Sequence, residues 1–125
     1  MGDKHDRSMM ENLYWWGVPT LFRAPHEAAA GADIALVGVP HSTGNGTTER
    51  DQHLGPRAVR NVSALQRRAH GGFQLDPWEA AKIVDVGDVP FPRANDNEDC
   101  IQRITEFYKD IDCLLYTSDA ADEMR

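Results

Sequence analysis

Asp33-Ile34-Ala35-Leu36-Val37-Gly38-Val39-Pro40 reads as a buried strand: a short apolar run closed by a proline that cannot continue a ladder. It opens into a polar, glycine-bearing loop, His41-Ser42-Thr43-Gly44-Asn45-Gly46-Thr47-Thr48. A helix then starts within Leu54-Gly55-Pro56-Arg57-Ala58-Val59-Arg60, where Pro56 has no donor to lose in the first turn. Strand, loop and helix in that order are the front half of a βαβ unit, so the expected class is α/β. Ligands of open α/β sheets gather beyond the carboxyl ends of strands, which puts the loop 41–48 where chemistry is expected.

Downstream, Val59, Val62, Leu65 and Ala69 recur every three to four residues and predict a helical stripe facing the sheet. Gly71-Gly72 is expected to end that helix, since glycine takes the left-handed conformation without steric cost. A connector with Asp76-Pro77-Trp78 leads to a second strand within Lys82-Ile83-Val84-Asp85-Val86-Gly87-Asp88-Val89, stopped by Pro90 and Pro92. Asn95-Asp96-Asn97 offers caps for a second helix, with Ile101, Ile104, Phe107 and Ile111 at helical spacing. Residues 1–32 have no such periodicity and read as an irregular arm. Within it Tyr14-Trp15-Trp16-Gly17-Val18-Pro19-Thr20-Leu21-Phe22 is too apolar to leave in water and is expected to be buried against another surface, its own domain first.

The 125 residues suffice for one domain. A net charge of -7 argues against nucleic acid or an anionic membrane as partner, and no apolar run approaches a bilayer span. Cys100 and Cys113 form no metal motif and imply no disulfide framework; Cys100, in the first turn of an expected helix, reads as a plain buried or half-buried thiol and not a reactive one. The histidines at 5, 26, 41, 53 and 70 never fall at the i, i+4 spacing of a helical metal pair. His41 is set apart by its place at the end of the first strand, where a neutral imidazole can hydrogen-bond a bound molecule. Gly44-Asn45-Gly46 invites a phosphate-cradle reading, but Thr47-Thr48-Glu49 follows where a P-loop needs Lys and then Ser or Thr. Asp85 and Asp88, three apart around Gly87, suit acid, base or ligand roles, or hydrogen bonds that fix a loop.

Taken together, the first strand, the Gly55-Pro56-x-x-x-Arg60 helix start and the Asp85-Val86-Gly87-Asp88 strand resemble the N-terminal part of the ureohydrolases, the family of arginase and agmatinase. The resemblance implies a three-layer α/β/α fold with a mainly parallel sheet, of which residues 33–112 would be a truncated N-terminal part. It implies a cytoplasmic homo-oligomer, when full length, that hydrolyses a small guanidino substrate to an amine and urea with two manganese ions. It also implies that His41, Thr43 and Asn45 belong to a substrate-rim loop, and that Gly55, Pro56, Arg60, Asp85, Gly87 and Asp88 form a structural motif and not the metal site. The family's metal ligands lie in Gly-Gly-Asp-His, Asp-Ala-His-x-Asp and Asp-x-Asp motifs on later strands. That set is absent here, so no catalytic residue and no metal ligand is expected in this chain, which alone should be inactive. Glu49-Arg50-Asp51-Gln52-His53 stands where agmatinases often carry an Arg-Pro-Gly-like stretch. Bacterial agmatinases are nearest in look, so agmatine is the expected substrate, with guanidinobutyrate, guanidinopropionate or another guanidine as alternatives and a non-catalytic α/β binding module as the alternative from another class. The end, Cys113-Leu114-Leu115-Tyr116-Thr117-Ser118-Asp119-Ala120-Ala121-Asp122-Glu123, is similar to one translated frame of a transposase-based sequencing adapter. Residues 113–125 are accordingly expected to be a non-native scar, the alternative being a short natural acidic tail.

Overall fold

The computed structural model describes residues 17–43 and 51–123. Ile34–Gly38 forms β1 and Ile83–Asp88 forms β2, and the two pair in parallel with Ile34 opposite Ile83 and Leu36 opposite Asp85. Between them in sequence lie α1 (Gly55–Ser63) and the single turn α2 (Pro77–Ala80); α3 (Asn97–Glu123) follows β2. A 3-10 turn, Asp51–Leu54, leads into α1. The parallel pair joined through a helix is the expected βαβ unit.

β2 is the middle element. On its far side the backbone of Pro25, His26 and Glu27 bridges Asp85: Asp85 N–H donates to the Pro25 carbonyl at 2.9 Å, and Glu27 N–H donates to the Asp85 carbonyl at 3.3 Å. The arm thus supplies a short third line of pairing. Its Phe22 ring stands 5.0 Å from Trp78, so this part of the aromatic segment packs on its own domain. Tyr14, Trp15 and Trp16 lie outside the described residues.

The register slips between the two strands. Leu36 faces Asp85, but Gly38, two residues on, faces Asp88, three residues on. One extra residue in β2 is a bulge, and Gly87 adopts φ +89° there, a conformation that favours glycine. In a regular strand, residues three apart point to opposite faces. The bulge instead lets Asp85 and Asp88 turn to the same partner.

The structure departs from the sequence expectations in both longer helices. α1 ends at Ser63, well before Gly71-Gly72, and Val59, Val62 and Leu65 are 55%, 61% and 57% exposed. The inward face is instead Pro56, Arg60, Ser63 and Ala64. The cause is polar: Arg60 is drawn to Asp85, and Phe22 N–H donates to Ser63 Oγ at 3.0 Å. The Arg23 guanidinium takes up the carbonyls of Ala64 and Gln66 at 2.6 and 2.9 Å, satisfying the groups that a further helical turn would have used. Gly71 and Gly72 lie within a turn closed by His70 and Leu75. In α3, begun by an Asp96 side chain that accepts from Asp99 N–H at 3.1 Å, Cys100 and Ile111 are buried while Ile101 is 53% exposed. The inward stripe therefore starts one residue earlier than expected. Asp76, expected in a plain connector, caps α2 by accepting from Trp78 N–H at 2.9 Å.

Candidate functional site

Arg60 clamps α1 to the carboxyl end of β2. From α1 its Nε and Nη2 donate to the two oxygens of Asp85 at 2.9 and 3.0 Å, and its Nη1 donates to Asp88 Oδ1 at 2.5 Å. Asp85 also accepts from Leu21 N–H at 3.0 Å and Gly87 N–H at 2.9 Å. Its side chain is 1% exposed, that of Arg60 12%. Burial pushes the Asp85 carboxyl upward, but the hydrogen bonds from Arg60, Leu21 and Gly87, with the charge of Arg60, together hold it below its ordinary value. The hydrogen bond to Asp85 is the main reason that Arg60 is raised above its own. Gly38 makes this approach possible. A Cβ there would collide with the Asp88 carboxylate and come within 3.0 Å of Pro56.

Beyond the strand ends, His41 is half-buried, its ring 5.6 Å from that of Phe91 and its N–H donating to the Val39 carbonyl at 2.9 Å. Ser42 Oγ lies 3.2 Å from His53 Nδ1, and the Thr43 hydroxyl donates to the Ala94 carbonyl. Asn45 lies outside the described residues. Gly55 and Pro56 open α1, with Pro56 in the first turn. The structure thus brings His41 and Thr43 to the connector after β2, and gathers Arg60, Asp85, Gly87 and Asp88 into one cluster. A cavity of about 240 Å³ beside that cluster is lined by Leu21, Val37, Gly38, Val39, Pro56, Val59 and Arg60. It offers a cationic guanidino group no anionic partner, because both carboxylates are already engaged by Arg60.

The described residues do not fit a two-metal centre. Among the described residues no three His, Cys, Asp or Glu side chains gather where they could hold an ion. Asp85 and Asp88, the best-placed carboxylates, have a guanidinium where a cation would sit. Asp110-Ile111-Asp112 carries the letters Asp-x-Asp, yet it belongs to α3 and not to a strand end. Residues two apart on a helix do not face each other, and Ile111 between them is buried. Cys100 is fully buried in the first turn of α3; burial first, then the charges of Asp99 and Asp96, raise its thiol and make it a poor nucleophile.

Four contributors escaped the sequence reading. The backbone N–H of Leu21 and the guanidinium of Arg23 come from an arm without periodicity, which gave no signal. Phe91 could have been suspected from its place between two prolines at a strand end, and Gly38 from being the one glycine in an apolar run, a sign of close approach.

Comparison with known proteins gives this geometry its context. The model of the arginase family matches residues 32–112. Guanidinopropionase from Pseudomonas aeruginosa is 34% identical over 96 residues, which are 76% of this chain and 30% of that protein. Mitochondrial agmatinase from Gallus gallus is also 34% identical over 96 residues, 76% of this chain and 28% of that protein. Among solved structures, proclavaminate amidino hydrolase from Streptomyces clavuligerus superposes with a TM-score of 0.65 at 24% identity, over 72% of this chain and 30% of that one. The chain therefore spans under a third of the length of these relatives and has their α/β fold over that part. With its βαβ unit, its Gly55-Pro56 helix start and its Asp85-Val86-Gly87-Asp88 strand all inside the matched residues, the chain belongs to the arginase family.

Proposed function

We propose that the complete protein hydrolyses a small guanidino compound to an amine and urea, and that this chain contributes its N-terminal part without the catalytic centre. The observation that carries this reading is the family match over residues 32–112, which takes in both strands and α1. Agmatine is the first substrate to test. Guanidinopropionate stands beside it, because the named guanidinopropionase and agmatinase are equally similar to this chain at 34% identity, and guanidinobutyrate completes the set. A manganese pair belongs, on this reading, to residues outside the chain, consistent with a cluster here whose two carboxylates are both engaged by its own arginine. The substrate-side contribution of the chain is the rim formed by His41, Thr43 and Asn45, braced from beneath by Gly55, Pro56, Arg60, Asp85, Gly87 and Asp88.

On the same reading the native part is 33–112 with its arm 1–32, and 113–125 is an added tail; the family match stopping at residue 112 supports that division. No helix among the described residues is long and apolar enough to cross a membrane. The family resemblance is the ground for proposing a cytoplasmic homo-oligomer, and the acidic balance the ground for proposing no nucleic-acid or anionic-membrane partner. The test is to recover the gene beyond the codon for Asp112, express the complete protein and measure urea release from the three guanidino compounds. Urea from at least one is expected, together with the family's metal motifs in the downstream sequence. A complete sequence without those motifs, and no urea from any of the three, would leave the non-catalytic module.

A further inference from the structure

We propose that Thr43 and Phe91 are positioning residues that fix His41 at the rim of the substrate cleft, so that the connector after β2 sets the shape of the loop after β1. The proposal rests on the guanidino-hydrolase reading above and adds to it Phe91, together with a positioning role for Thr43, already placed in the rim.

The two segments beyond the strand ends are fastened at three successive points. Val89 N–H donates to the Gly38 carbonyl at 2.9 Å. The rings of Phe91 and His41 pack at 5.6 Å with 44° between their planes. The Thr43 hydroxyl donates to the Ala94 carbonyl. The connector is itself held firmly: Pro90 and Pro92 restrict the backbone on either side of Phe91, and Asp96 N–H donates to the Arg93 carbonyl at 3.0 Å. The buried Cys100 thiol completes the anchor, donating to the carbonyls of Arg93 and Ala94 at 3.5 and 3.6 Å. Ala94 thus receives Thr43 from the loop side and Cys100 from the helix side. With the tilted Phe91 ring on one side, the His41 imidazole is limited to the remaining directions. A histidine placed in this way can offer a hydrogen bond to a bound molecule at a fixed angle.

If this is so, loosening the anchor should weaken substrate binding more than the chemical step. The experiment uses the complete protein with Thr43→Val, Thr43→Ser and Phe91→Leu. It follows two readouts: the rate at which diethyl pyrocarbonate modifies His41, mapped by mass spectrometry against His70, and the separate values of KM and kcat. Thr43→Val and Phe91→Leu should raise the His41 rate and KM by about three- to tenfold, the scale of one lost hydrogen bond or ring contact. The kcat should stay within about twofold, and Thr43→Ser, which keeps the donor, should restore both readouts. Unchanged His41 reactivity in both disruptive variants would overturn the proposal, as would a fall in kcat at constant KM. If the complete protein hydrolyses none of the guanidino compounds, the functional reading fails separately, and the His41 rates alone decide whether the anchor exists.

Discussion

Asp85 is 1% exposed and keeps its charge because four N–H groups converge on it, two from Arg60 and one each from Leu21 and Gly87. A buried carboxylate so fully matched resists removal of any partner, since what remains is a buried charge with no counterpart. Asp85→Asn keeps the shape but removes the buried counter-charge and one of the two oxygens that accept from Arg60, setting an amide donor in its place, and should cost about 3 to 5 kcal/mol in the complete protein, read from denaturant midpoints. The same pair fixes a pH dependence. The folded carboxyl lies below its unfolded value of about 3.9, so its contribution is complete above that pH and is lost as pH falls through the lowered folded value. Wild type should therefore lose stability steeply on acidification while Asp85→Asn, already lacking the group, should show a shallower slope. Equal slopes in the two proteins would show that Asp85 is not the titrating group.

At the scale of the element, α1 shows how an apolar period can mislead. Val59 and Val62 fit a sheet-facing stripe, yet in this chain they face outward while Ser63 faces in, accepting from Phe22 N–H and donating to the Arg60 carbonyl at 3.1 Å. Ser63→Ala should therefore destabilise the arm-to-helix junction by about 1 to 3 kcal/mol, the cost of an orphaned buried donor, whereas Val62→Ser should stay within about 0.5 kcal/mol. Limited proteolysis of this chain at the arm would register the first and not the second; the reverse ranking would restore the stripe. Both strands, the start of α1 at Pro56 and the start of α3 at Asp96 were legible because each depends on local chemistry: an apolar run, a missing donor, a capping carboxylate. The end of α1, the bulge at Gly87 and the convergence of Arg60, Asp85 and Leu21 N–H were not. They depend on groups 25 to 64 residues apart in sequence, which no local pattern encodes. The rim was legible at His41 from its place after a strand, but its anchor on Phe91 and Ala94 was not, since it joins two loops that meet only once the sheet has formed.

For the whole molecule, the described core is thin. Its buried apolar members include Ala24, Ala29, Ala32 and Ala64, and among the largest fully buried side chains only Val84 and Val89 are aliphatic. β1, whose composition suits the interior of a parallel sheet, has β2 as its one partner among the described residues and leaves Ile34 exposed. An open strand edge with uncovered apolar side chains favours association, so this chain alone should unfold with weak cooperativity and grow in size with concentration on light scattering. Deleting residues 113–125, which lie outside the family match, should leave its circular dichroism unchanged apart from the helical signal of the shortened α3. Loss of tertiary structure on that deletion would show the tail to be native. Function should follow the same division. With Asp85 and Asp88 bound to Arg60, the chain alone should take up no stoichiometric manganese and release no urea from agmatine, whereas the complete protein should do both. Metal titration by calorimetry and a urea assay, run side by side on the two polypeptides, measure this directly. Tight binding of two manganese ions by the short chain would mean that the Arg60 cluster opens in solution. His41, Asp85 and Asp88 would then be the first ligands to replace, and the catalytic centre would lie at the carboxyl ends of β1 and β2.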